Sequence, residues 1–197
     1  MKAMFQPLAV CGALLVAQYV SAQNLLLNPR FDNGLADWAS KGGTATFDKT
    51  LGAPGSGGSG SVRVLFNGPA RQATVLTQCV TGFSAGEVYS WGAKVYIHPE
   101  HAGRNVLAQV HLDWFSDRSC VEWIGGHFAP GHPVRGVGKW EAIIARGAGV
   151  PTSTKSASIS AVMVTDPGHP FEVNFDDFYL VRGEVLNPTP TSGEPER

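Results

Sequence analysis

The groups that do chemistry in this chain are carboxylates, imidazoles and thiols, and few of them are spaced for a joint task. Hydrolysis by a general acid and base needs two carboxylates at a fixed separation. Asp113, Asp117 and Glu122 fall in one region and Asp176–Asp177 in another, and nothing in the spacing pairs them. They read as solvated surface acids. No nucleophile elbow, metalloprotease helix or phosphate-binding loop occurs. Among the six histidines, His98-Pro99-Glu100-His101 gathers two imidazoles and a carboxylate, but Pro99 and Gly103 argue for a loop rather than a helix face. His127 and His132 flank Pro130-Gly131, also a loop, and both loops read as rims of a cleft. Two runs carry a more ordered pattern. From Val88 to Ile97, Tyr89, Trp91, Ala93 and Val95 alternate with Ser90, Gly92, Lys94 and Tyr96. From Val106 to Phe115, Ala108, Val110, Leu112 and Trp114 alternate with Gln109, His111, Asp113 and Phe115. If the two runs pair, Lys94, Tyr96, Gln109, His111 and Asp113 lie side by side on one outward face.

Alternation of this kind belongs to half-buried strands, since successive side chains point to opposite faces. Similar runs recur at Asn24–Leu27, Thr44–Phe47, Ser61–Phe66, Ala73–Thr81, Cys120–Ile124, Lys139–Ala145, Ala157–Val164 and Phe171–Val181. That makes ten strands and no helix. Composition agrees: the 197 residues are 43% hydrophobic and only 16% charged, with 24 glycines and 13 prolines. Such a chain is turn-rich and poor in the charged residues that exposed helices use. Ten short strands with regular turns predict an all-β sandwich or barrel. A net charge of −1 excludes a strongly basic footprint, so nucleic acid and anionic membrane surfaces are not expected partners.

Residues 1–22 join Lys2, an apolar run from Leu8 to Val20, and Val20-Ser21-Ala22, which reads as a secretory signal peptide cut after Ala22. The run is interrupted by Gln18 and is too short to span a membrane. Its removal takes away Lys2 and Cys11. The exported chain, in periplasm or medium, then has two cysteines, Cys79 and Cys120, for which a disulfide is the default. Residues 23–183 form one domain; residues 184–197 are rich in Pro, Thr and Glu and read as a disordered tail.

Two segments carry a family resemblance. Asn24-Leu-Leu-Leu-Asn28-Pro-Arg-Phe31-Asp32-Asn-Gly34, followed by Trp38, resembles the opening of carbohydrate-binding modules of families 4, 9 and 22. Phe171-Glu-Val-Asn-Phe175-Asp176-Asp177-Phe178-Tyr-Leu180 resembles their closing strand. The resemblance implies a galactose-binding-like jelly roll of two antiparallel sheets and a non-catalytic protein that binds polysaccharide in a sheet-face groove. Lys94, Tyr96, Gln109, His111 and Asp113 are then the expected sugar-binding face, with Trp123 as its best aromatic platform, since alternation sends Trp91 and Trp114 inward. It also implies one structural Ca2+, for which Asp32 and Asp176 stand at the matching positions. The alternative is a cell-envelope interaction protein that keeps the jelly roll without the sugar site.

Overall fold

The computed structural model describes residues 23–128 and 137–183; the export segment, the tail and His132 lie outside them. Among the described residues there are ten strands: β1 Ala39–Ser40, β2 Thr44–Asp48, β3 Ser61–Phe66, β4 Gln72–Thr81, β5 Val88–Ile97, β6 Leu107–Phe115, β7 Trp123–Phe128, β8 Trp140–Gly149, β9 Ser156–Val164 and β10 Phe171–Arg182. They form two antiparallel five-stranded sheets, ordered β1-β4-β9-β6-β7 and β2-β3-β10-β5-β8. The only helical element among the described residues is a 3-10 turn at Pro99–His101. No helix among the described residues is long and apolar enough to cross a membrane.

The fold is the expected all-β jelly roll, and alternation assigned the inner faces correctly. Tyr89, Trp91, Ala93 and Val95 of β5, and Ala108, Val110, Leu112 and Trp114 of β6, are all buried in the core between the sheets. The opening motif is not a strand. Asn24 makes one isolated antiparallel bridge to Val181, and the Leu25 amide donates to the Leu180 carbonyl at 2.9 Å. The Asn24 side chain completes the clasp, donating to Phe178 O at 2.8 Å and accepting from Leu180 N at 3.0 Å. Beyond it the chain turns through Asn28 and Phe31, both at positive φ. Phe31, Trp38 and Phe178 then stack as an aromatic plug, with ring centroids 4.6–6.0 Å apart. The Trp38 indole donates to Asn28 O at 3.1 Å, so this tryptophan is structural.

One expectation about neighbours fails. The runs containing Lys94 and Asp113 do not pair, because β5 and β6 belong to different sheets and their connection crosses the sandwich. β5 lies between β10 and β8, whereas β6 lies between β9 and β7. Part of the outward face of the second sheet is instead covered by the Gly/Ser loop between β2 and β3, pinned by Lys94 Nζ donating to Pro54 O at 2.6 Å and by Asp176 Oδ2 accepting from Ala53 N at 2.9 Å. The Cys79–Cys120 disulfide is present, with a Cα–Cα distance of 6.0 Å. It ties β4 to the loop before β7.

Candidate functional site

The outward face of the β1-β4-β9-β6-β7 sheet is paved with short polar side chains. In β9, Ala157, Ile159 and Ala161 enter the core while Ser156, Ser158 and Ser160 face out. Antiparallel register sets Thr77, Ser160 and His111 in one row and Cys79, Ser158, Asp113 and Gly126 in the next. Thr77 Oγ1 and Ser160 Oγ lie 3.0 Å apart. Because these side chains are short, a hollow of about 440 Å³ opens above them. Asp37 and Lys41 border it on the β1 side, and Asp113, Phe115 and Cys120 on the other.

Asp113 organises the far wall. The Trp123 indole N–H donates to Asp113 Oδ1 at 3.2 Å. The indole itself is 64% exposed, a flat apolar plate held by one edge. Its outward register is set by the loop before it. Asp117 accepts from the amides of Ser119, Val121 and Glu122 at 2.8–3.0 Å, and Cys120 adopts φ 56°. The strand expected at Cys120–Ile124 therefore begins at Trp123, beside Phe115. Gly126 leaves room for the carboxylate; a Cβ there would fall 2.2 Å from Asp113 Oδ1. Behind Asp113, His111 Nε2 lies 3.1 Å from Gln109 Oε1, an oxygen that only accepts, so Nε2 carries hydrogen. Burial holds the His111 imidazole below its ordinary pKa, against the pull of Asp113. It offers a neutral hydrogen-bonding group.

The expected face is thus split. Gln109, His111, Asp113 and Trp123 come together on this sheet. Lys94 and Tyr96 lie on the outward face of the opposite sheet, where Lys94 pairs with Asp177 at 2.7 Å and Tyr96 packs against Trp140 and His98. Thr77, Ser158, Ser160, Asp37 and Lys41 were not anticipated. The stripe of serines in Ser156–Ala161 was the available signal for part of this floor.

The residues at the expected calcium position do not fit that ion. Calcium takes six to eight oxygen acceptors. The buried Asp176 carboxylate instead receives amide hydrogens from Ala53 (2.9 Å) and Asp177 (2.7 Å). Burial pushes its pKa up to about 6. Asp32, the other expected ligand, is solvent-exposed. Millimolar calcium added to chelator-stripped protein is expected to leave the melting temperature unmoved, since a ligand selective for the folded state must raise it. A rise of several degrees would contradict this assignment.

No family model and no curated protein matches the chain. Solved structures do. The C-terminal family 22 carbohydrate-binding module of Clostridium thermocellum Xyn10B superposes with a TM-score of 0.56 at 14% identity, covering 81% of this chain and 94% of the module. A xylan-binding family 22 domain gives 0.56 at 12% identity, covering 83% and 98%. The fold is that of carbohydrate-binding jelly rolls. An arabinose-bound α-L-arabinofuranosidase also matches, with a TM-score of 0.53 at 15% identity; the match covers 81% of this chain but 26% of the enzyme.

Proposed function

We propose that this chain is an exported, non-catalytic carbohydrate-binding protein that holds a polysaccharide or oligosaccharide along the β4-β9-β6-β7 groove. The observation that carries the reading is the exposed Trp123 indole, fixed edge-on by Asp113 at the border of a floor of hydroxyls. A sugar ring presents apolar C–H faces and a rim of hydroxyls. An aromatic plate with a few placed polar groups is the general arrangement that suits it. Trp123 stacks on one ring; Asp113, the neutral His111, Gln109 and the serines exchange hydrogen bonds with hydroxyls. Asp113 also positions the plate, its Oδ1 accepting from the indole. The likeness to carbohydrate-binding modules supports this reading at the level of fold, and the disulfide is in keeping with an oxidising compartment.

The test is a glycan array and polysaccharide pull-down with the chain from residue 23. A hit is expected, and Trp123→Ala should weaken it by roughly 30-fold, the scale of a lost aromatic anchor of about 2 kcal/mol. Gly126→Ala should act in the same direction, by displacing Asp113. Lys94→Ala and Tyr96→Phe, on the other sheet, should leave binding intact. A folded chain that binds no glycan would abandon this reading in favour of a protein partner.

A further inference from the structure

The sheet face opposite the groove carries a second constellation. The ligand atoms of His98, Glu100 and Glu172 lie within 4.8 Å of one another. We propose that these three residues bind a divalent first-row transition-metal ion, with zinc as the probe. Two carboxylates and one imidazole form a mixed N/O donor set that suits zinc, manganese or iron better than calcium or magnesium. Three ordered elements supply it: His98 follows the last residue of β5, Glu100 lies in the Pro99–His101 turn, and Glu172 is on β10. The remaining contacts orient the donors. Glu172 Oε2 takes Arg63 at 2.7 Å, leaving Oε1 3.4 Å from His98 Nε2. Asn174 donates its amide hydrogens to Asp48 Oδ2 at 3.2 Å and Ser61 Oγ at 2.8 Å. The carboxylate can only accept, so the Asn174 oxygen is the atom 2.7 Å from His98 Nε2. His98 Nε2 therefore carries hydrogen and its Nδ1 holds the lone pair. With Nε2 held by Asn174, the ring would bind a metal through Nδ1. Glu100 is exposed, which leaves the site open to solvent.

The site is independent of the groove, so its test is too. Zinc chloride is titrated into the chain from residue 23 by calorimetry, beside calcium chloride, with Glu100→Gln, His98→Gln and Trp123→Ala variants whose melting curves confirm folding. One zinc per chain is expected. Its affinity should fall by at least about tenfold in Glu100→Gln and in His98→Gln, since even the loss of a residue that merely supports a ligand costs that much, and should be unchanged in Trp123→Ala. Absence of zinc binding, calcium binding as tight as zinc, or equal zinc affinity in wild type and Glu100→Gln would each overturn the proposal.

Discussion

Replacing both Cys79 and Cys120 with serine should lower the stability of the domain by about 4 kcal/mol, the chain-entropy value for closing a loop of this size. The two residues are 41 apart in sequence, so the unfolded chain loses much freedom when they are joined. Neither cysteine is part of the core, Cys79 being exposed and Cys120 half-buried, so the substitution opens no large cavity. The cost should therefore appear as an unfolded-state effect, a drop of roughly 10 °C in melting temperature for a domain of this length. A second effect follows from location. The bridge anchors the loop in which Cys120 holds φ 56° and Asp117 gathers three amides, and that loop sets the outward register of Trp123. The reduced or serine form should bind glycan more weakly even at temperatures where it is folded. Two free thiols by mass spectrometry of the native chain, or a melting temperature unchanged by the double substitution, would show that the bridge does not act this way.

Gly92→Ala should be severe for the opposite reason, in the native state. Gly92 sits in β5 between β10 and β8, facing Tyr179 on one side and Ile144 on the other. A Cβ there would lie 1.9 Å from the Ile143 carbonyl oxygen and 2.7 Å from the Tyr179 hydroxyl. The first contact is with backbone in a central ladder, which cannot rotate away. Overpacking usually costs about 1–3 kcal/mol, and a clash with backbone belongs at the upper end. The internal control is Gly125→Ala in β7, where a Cβ meets nothing within 4 Å. Urea midpoints of the two variants should therefore separate clearly. Similar midpoints would mean that the sheet around Gly92 yields more easily than its packing indicates.

The faces of individual strands were legible in the sequence and the neighbours of those strands were not. Alternation is a local property of the chain, so it placed Trp91, Trp114, Ala93 and Leu112 in the core without any knowledge of topology. Pairing depends on which strands meet across the sandwich, and consecutive strands are neighbours in only about two-thirds of cases. Among the described strands only β2–β3 and β6–β7 are consecutive neighbours; β5 and β6 are not, and that crossing moved Lys94 and Tyr96 away from Asp113. Trp123 illustrates a different limit. Its face depends on a positive φ at Cys120 and on the amides capped by Asp117, features of a loop that periodicity does not carry. The serine floor was encoded plainly in the alternation of β9; short hydroxyl side chains simply attract less notice than aromatics and charges. The buried state of Asp176 shows the reverse case, in which a recognised residue has surroundings, the amides of Ala53 and Asp177, that sequence spacing does not reveal.

The clasp between Asn24 and Val181 also has a mechanical meaning. The bridge is antiparallel, so the chain entering before residue 24 and the chain leaving after residue 181 emerge side by side and in the same direction. Tension applied between those two ends loads the clasp as a zipper, one hydrogen bond after another, beginning with the contacts among Asn24, Leu25 and Leu180. On the proposed function, tension between a glycan in the groove and a single end follows a different line through the sheets, and does not open the clasp in that order. The domain should therefore yield at lower force when pulled by both ends than when loaded between one end and a ligand in the groove.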